Sequence, residues 1–397
     1  MTSVHSKPAR QVQGPTASLI GAKIVHVIPE DWFFYSHRRA LGAATVAAGA
    51  DVLVAARFTK HESLLRGEGF RTRSLLLRRG WRSPLKELVA FLDLVRLYRS
   101  ERPTLIHQTT IKPVIFGSLA AWIGCDAAVV NGISGLGHIF SNTGPLAALV
   151  RTAVVLAYRV VSRLLGERVM FVFENPTDRA RFVALGIVDE SRSTVVLGMG
   201  CDVERFRPSP IPDGTLVVMF AGRLLWSKGV GDLVEAVSRL RRSGEDVKLV
   251  LVGDPDDDNP DGVDRKVLDE WTQSGAAEWW GKSDDMPAVL SRAHLVALPS
   301  KYGEGLPKIL LEAAASGRAL LASRIPGCVE IVLEGDTGYL VAPGSVAEIE
   351  TAIRSAVHSR EKLASMGRRG RAEVLQRFSD SIVTQRTFEI YRSLLRN

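Results

Sequence analysis

Short apolar, β-branched runs alternate with amphipathic stretches along almost the whole chain, and this alternation restricts the fold more than any other feature of the sequence. Each run is long enough for one buried strand, and each periodic stretch is long enough to cross back over a sheet as a helix. Strands are expected at Ile24–Ile28, Asp51–Ala56, Thr104–His107, Ala127–Asn131, Val169–Phe173 and Thr194–Leu197. Helices are expected at Ser36–Ala48, Pro84–Ser100, Pro113–Ile123 and Pro145–Leu165. The series breaks at Phe206-Arg-Pro-Ser-Pro-Ile-Pro-Asp-Gly214, whose prolines read as a linker. It then resumes with strands Thr215–Phe220, Lys248–Val252, Leu295–Pro299, Ala319–Ala322 and Tyr339–Ala342, separated by helices near Gly229–Arg242, Val263–Thr272, Met286–Arg292 and Leu306–Ala315. The expected fold class is α/β, with two doubly wound parallel-sheet domains. A length of 397 residues agrees, because one core usually splits above ~250–300 residues. The expected bounds are a disordered tail over 1–21, a first domain over 22–208, a second over 209–378, and a final helix over 379–397 that packs back onto the first.

The net charge of +8 is unevenly shared. Residues 1–208 hold 27 Lys and Arg against 16 Asp and Glu, whereas residues 209–397 hold 24 against 27. Residues 66–102 alone carry ten basic and four acidic side chains. Such a surplus suits a nucleic acid, an anionic membrane surface, a phosphorylated substrate or simply a solvated face. Residues 1–20 lack the apolar core of a secretory signal. Pro145–Leu165 is apolar but interrupted by Arg151, Arg159 and Arg163, which leaves no uncharged span of ~20 residues. On a helix those arginines fall within about 120° of one another, so the segment is either a buried helix with a wet edge or a helix lying in a membrane interface. Cys125, Cys201 and Cys328 have no metal or redox spacing and fit a reducing compartment, so a cytoplasmic location is expected.

Doubly wound sheets bind ligands beyond the carboxyl ends of their strands. Neither a GxGxxG turn nor a P-loop occurs there, which argues against dinucleotide and P-loop nucleotide chemistry. After Thr215–Phe220 comes Ala221-Gly-Arg-Leu-Leu-Trp-Ser-Lys-Gly229. Arg223 and Lys228 lie beside a helix start, with Gly222 and Gly229 allowing close backbone approach, and a diphosphate is the guest this arrangement suits. After Leu295–Pro299 comes Ser300-Lys-Tyr-Gly-Glu-Gly-Leu-Pro-Lys-Ile-Leu-Leu-Glu312. Eight helical residues span about 12 Å, so Glu304 and Glu312 are too far apart for a glycosidase acid/base pair and suit two parts of one extended ligand.

These residues resemble the family 4 retaining glycosyltransferases, whose EX7E motif is matched by Glu304 and Glu312. The resemblance extends over Phe220–Gly229, Leu251–Asp254, Leu298–Ser300, Glu330 with Gly335, Thr337 and Gly338, and Gly198–Pro208. It implies the GT-B fold of two facing Rossmann-like domains with a C-terminal helix returning to the first. It also implies that Arg223 and Lys228 hold the donor's diphosphate, that Glu312 meets the ribose and that Glu304 faces the donor sugar. The Gly305 and Leu306 amides would complete the phosphate cradle beside Gly222. No cofactor and no metal are implied, the nucleotide sugar being the donor substrate.

In the first half, Asp31–Arg39, His107 with Lys112-Pro113, Asn131–Gly137 and Phe173–Arg179 resemble the branch that extends polyprenyl-diphosphate-linked sugars in bacterial O-antigen, capsule and exopolysaccharide pathways. Many relatives have His-x-His where this chain has His107-Gln-Thr109. His107 is therefore either catalytic or a strand-end core residue. His37, taken to open a helix, is a second catalytic candidate. Lys112, Gly135 and Gly137 are candidate acceptor contacts. The resemblance implies transfer from a UDP-sugar to a lipid-linked sugar at the inner face of the cytoplasmic membrane, with an anionic membrane surface and no nucleic acid as partner. The alternatives are transfer to a soluble acceptor and a non-catalytic nucleotide-sugar-binding regulator.

Overall fold

The computed structural model describes residues 19–78, 80, 83–135, 144–256 and 259–396. Its first sheet contains β1 (Lys23–Glu30), β2 (Asp51–Arg57), β3 (Arg71–Ser74), β4 (Leu105–Thr109), β5 (Ala128–Ile133), β6 (Val169–Phe173) and β7 (Ser193–Val195), in the order β3-β2-β1-β4-β5-β6-β7. The pairs β1/β2, β1/β4, β2/β3 and β6/β7 are parallel. The second contains β8 (Leu216–Ala221), β9 (Val247–Val252), β10 (Glu278–Trp279), β11 (Leu295–Leu298), β12 (Ala319–Ser323) and β13 (Gly338–Val341), in the order β10-β9-β8-β11-β12-β13, parallel throughout. Counted from its own first strand, each sheet begins with the doubly wound order 3-2-1-4-5-6, so each has a switch point beside its first and fourth strands.

The central strands are apolar at every position because helices cover both faces: β8 (LVVMFA) and β11 (LVAL) are entirely buried. One edge strand of each sheet is different. β3 reads RTRS and is largely exposed, and β10 is only the pair EW. Short, charged edges resist pairing with other chains, and without an apolar run they were not expected from the sequence.

The helix expected over Ser36–Ala48 is two helices, α1 (Asp31–His37) and α2 (Arg39–Ala47), broken at Arg38. The early start comes from Asp31, whose side chain accepts the N–H of Trp32 at 2.8 Å. His37 therefore closes a helix instead of opening one. Next come α3 (Glu62–Gly67), α4 (Pro84–Glu101), α5 (Ile111–Gly124), α6 (Pro145–Leu165) and α7 (Pro176–Ala184). The second sheet is accompanied by α8 (Val230–Arg242), α9 (Arg265–Gln273), α10 (Met286–Ser291), α11 (Lys308–Ala315), α12 (Val346–His358) and α13 (Arg360–Glu373), and the chain ends in α14 (Asp380–Leu395). α8 shows why such segments fold: Val230, Leu233, Val234, Val237 and Leu240 bury one stripe, each contributing about 1.5–3 kcal/mol, while Arg239, Arg241 and Arg242 meet the negative end of its dipole.

α6 packs one side inward, where the Tyr158 ring lies edge-on to Phe171 and Phe182. Its other side leaves Leu146, Leu149, Val150, Leu156 and Val160 exposed. By length and composition it could cross a membrane despite its arginines, although only 22% of its most apolar window is buried. The wide apolar face is therefore not inside the core.

The chain divides into two compact units. One holds the described residues through Gln108, Lys112–Val130 and those from Thr384 on; the other holds Thr109–Ile111 and Asn131–Val383. The second sheet begins after the Pro-rich segment, whereas the unit boundary falls at Val130.

Candidate active site

The switch point of the second sheet gathers the charged residues singled out by sequence. Past β8, Gly222 leads to Arg223, a short 3-10 turn runs from Trp226 to Lys228, and Gly229 (φ 77°) starts α8. The positive φ favours glycine, and so does space: a Cβ there would lie 2.1 Å from the Pro299 carbonyl oxygen just beyond β11. The two loops are thus in backbone contact, and Lys301 N donates to Ser227 O at 2.8 Å. This contact delivers Lys228 Nζ to 2.5 Å from Glu304 Oε1, and Ser300 Oγ donates to the same oxygen at 2.6 Å. Arg223 is half-exposed, with Nη1 3.0 Å from Asp256 Oδ2. Room remains beside Gly222, where a Cβ would meet nothing within 4 Å.

Glu304 lies in the loop ahead of α11, which starts only at Lys308 with Pro307 at its N-cap, so the helical spacing expected between Glu304 and Glu312 does not apply. Glu312 is on the helix, almost fully buried, with Lys308 Nζ 3.2 Å from its Oε1. Burial raises its pKa, an effect that Lys308 only partly offsets. The nearby Asp380 carboxyl is raised to about 6, chiefly by burial and then by Asp202.

The Gly305 and Leu306 amides are both crowded. Leu306 N donates to Glu174 Oε2 at 3.1 Å, just past β6. Asn175 Nδ2 donates to Gly305 O at 3.3 Å. Gly135 (φ 89°) packs against the same turn, since a Cβ on it would lie 2.7 Å from Gly305 N. Gly135 therefore sits in close backbone contact with that turn. Gly137 lies outside the described residues. Ser300, Glu174 and Asn175 belong to segments that carried the family resemblance, yet residue type alone gave them no role.

The first unit holds the other candidates. His107, on β4, pairs in register with His26 on β1, and their rings are 5.2 Å apart. Its Nδ1 is 2.6 Å from the Tyr391 hydroxyl on α14. At 2% exposure it is sealed from solvent, and burial followed by Arg38 and His26 drives its pKa well below the ordinary value. The structure thus places His107 as a buried, neutral residue whose ring contacts Tyr391 on α14. Lys112 is also committed elsewhere: its Nζ is 2.8 Å from Glu87 Oε2 and donates to Gly80 O at 2.6 Å and Arg78 O at 3.1 Å. His37 is half-buried, stacked on Phe33 at 4.5 Å, with Nδ1 2.5 Å from Ser36 Oγ. Among the described residues, no three His, Cys, Asp or Glu side chains gather as a metal site.

Comparison with known proteins adds family evidence. The pattern of the glycosyl transferases group 1 matches residues 203–373, and that of the glycosyl transferase 4-like region matches 23–166. The N,N'-diacetylbacillosaminyl-diphospho-undecaprenol alpha-1,3-N-acetylgalactosaminyltransferase of Campylobacter jejuni is 25% identical over 79% of this chain and 84% of its own. The capsular polysaccharide biosynthesis glycosyltransferase CapM of Staphylococcus aureus is 20% identical over 78% of this chain and 82% of its own. Anabaena HepE, solved in complex with UDP, superposes with a TM-score of 0.77 at 18% identity, covering 94% of this chain and all of that one.

Proposed function

The chain belongs to the group 1 glycosyltransferases, with a 4-like first half and the GT-B fold, and from that premise we propose that it moves a hexose or N-acetylhexosamine from a UDP-sugar to a polyprenyl-diphosphate-linked sugar in surface polysaccharide synthesis, with retention at the anomeric carbon. The observation that carries this reading is the Lys228–Glu304 pair at the switch point of the second sheet, with Arg223 on the same loop as Lys228. Arg223, Lys228 and the loop amides supply positive charge where a nucleoside diphosphate departs, beside the open space at Gly222. Glu312, on the adjoining helix, accepts from the ribose hydroxyls, and Glu304 faces the donor sugar.

The acceptor oxygen forms its bond to the anomeric carbon as the bond to the diphosphate breaks, and the departing phosphate oxygen takes the hydroxyl proton. Retention by this route requires no protein nucleophile. His37 remains the imidazole proposed to touch donor or acceptor. The name of the Campylobacter relative supports a diphospho-undecaprenol-linked acceptor, that of the Staphylococcus relative supports polysaccharide synthesis, and the HepE complex supports UDP. Two exposed apolar helix faces support peripheral binding to the inner face of the cytoplasmic membrane: Leu85, Leu88, Val89 and Leu92 on α4, and Leu149, Leu156 and Val160 on α6.

The test combines UDP calorimetry with turnover on lipid-linked acceptors, run with and without chelator. Glu312→Ala is expected to weaken UDP binding, Glu304→Ala to lower turnover while UDP still binds, and chelator to change neither. Unaltered turnover in the Glu304 variant would overturn the assignment, and rescue of a chelated enzyme by magnesium or manganese would overturn metal independence.

A further inference from the structure

One amide that the reading above assigns to the donor's phosphate is already engaged by a side-chain carboxyl oxygen of the chain. Leu306 N donates to Glu174 Oε2 at 3.1 Å, and Glu174 is 4% exposed. Backbone packing places it there. A Cβ on Gly305 would lie 2.5 Å from Glu174 Oε2 and 2.8 Å from the Ser134 carbonyl carbon. Asn175 holds the segment from the other side, accepting from Asp178 N at 2.8 Å as the cap of α7 while donating to Gly305 O at 3.3 Å. Pro307 offers no N–H, which leaves Leu306 as the donor immediately ahead of that proline.

An ionised carboxylate and a phosphate oxygen accept the same kind of hydrogen bond and repel one another, so they compete for one N–H. We propose that Glu174 is a resident anion at the donor's phosphate position, displaced when the nucleoside diphosphate binds and returning as it leaves. Donor affinity is then set partly by this exchange, because apparent affinity is reduced by the fraction of protein whose site is open. The return of Glu174 also favours release after transfer, since the departing nucleoside diphosphate carries one more negative charge than the sugar-bearing donor. This inference rests on the donor-site reading and adds to it a positioning residue just past β6, in the same compact unit as the loop it contacts.

The experiment measures binding of UDP and of uridine to the full chain and its Glu174→Gln, Glu174→Ala and Lys228→Ala variants by calorimetry, with donor KM and kcat recorded on the same preparations. Loss of the Glu174 charge is expected to tighten UDP binding about tenfold, as for an open fraction of about one tenth, and to lower donor KM, while uridine, which has no phosphate, binds as before. Glutamine has the same shape, so Glu174→Gln carries the test if the alanine variant unfolds. UDP binding that is unchanged or weaker in both Glu174 variants, or a uridine affinity that moves as far as that of UDP, overturns the proposal. The Lys228→Ala arm tests the underlying reading separately: it should weaken UDP and spare uridine, and an unchanged UDP affinity there counts against the donor site itself.

Discussion

Replacing Asp31 by asparagine is expected to destabilise the first unit by about 4 kcal/mol. The carboxylate is completely buried. Its Oδ2 accepts the backbone N–H of Thr59 at 2.9 Å, Lys60 at 2.9 Å and His61 at 2.8 Å, and its Oδ1 accepts Trp32 N at 2.8 Å and the Thr59 hydroxyl at 2.9 Å. If the asparagine oxygen replaces Oδ2, three charge-assisted bonds become neutral ones, each weaker by about 1 kcal/mol. The new amide then points N–H at the N–H of Trp32, and that unpaired donor costs at least about 1 kcal/mol more, the low end of its range, which brings the sum to about 4 kcal/mol. The sum lies near the cost of breaking a buried charged contact. At about 2–4 °C per kcal/mol for a unit of this size, the melting temperature should fall by roughly 8–16 °C.

The pH dependence supplies a second reading of the same group. Burial alone would raise the Asp31 pKa, but the His61, Lys60 and Thr59 bonds outweigh it and hold the carboxyl well below the usual range. A depressed carboxyl contributes stability that is complete above its unfolded value of ~3.9 and is lost as pH falls toward the folded one. The difference between wild type and Asp31→Asn should therefore be flat above about pH 5 and shrink below about pH 4. Thermal unfolding across that range measures it, with hydrogen exchange at residues 59–61 as a local probe. A shift under about 1 kcal/mol with unchanged protection of those amides would refute the reasoning.

Gly229→Ala places a methyl group 2.1 Å from Pro299 O at φ 77°; it should cost at least about 1–2 kcal/mol in stability and weaken UDP binding by displacing Lys228, so an alanine variant with wild-type melting and UDP affinity would contradict the loop contact described above. Liposome binding should survive about 0.5 M salt, where charge is screened within a few ångströms, yet fall by about 100-fold or more in Leu149→Gln/Leu156→Gln. Binding abolished by salt but indifferent to those leucines would place the attraction in the basic residues instead.

How much was legible in the sequence follows from how far apart the interacting groups lie. The β8 and β11 runs could be read because a strand covered on both faces must be apolar throughout, and that is a local property. α1 could not, since Asp31, which accepts Trp32 N–H at its start, is held by the backbone N–H groups of Thr59, Lys60 and His61, which lie 28 to 30 residues away. The Lys228 and Glu304 segments were visible as motifs, each within one loop. The pairing of Lys112 was not legible because its partner Glu87 lies 25 residues away, and residue type cannot reveal that a charge is already paired. Glu174 was passed over for the same reason, its partner amide being 132 residues distant.

The positive surplus of the first half changes meaning once those partners are known. Arg71 bridges Asp51 and Glu101, Arg73 meets Asp93, Arg39 meets Glu68, Arg66 meets Glu62, and Lys112 meets Glu87. Ion pairs at an exposed surface contribute little to stability, but each reduces the net field that a distant anion experiences. A count of basic residues over 66–102 therefore overstates the field available to a membrane. The exposed leucines of α4 and α6 have no such internal partner in the charge ledger, and apolar area acts at contact regardless of ionic strength. On the proposed membrane reading, attraction by charge would orient the chain at a distance and residence at a lipid surface would depend on those helix faces, so salt and leucine substitution should separate the two contributions.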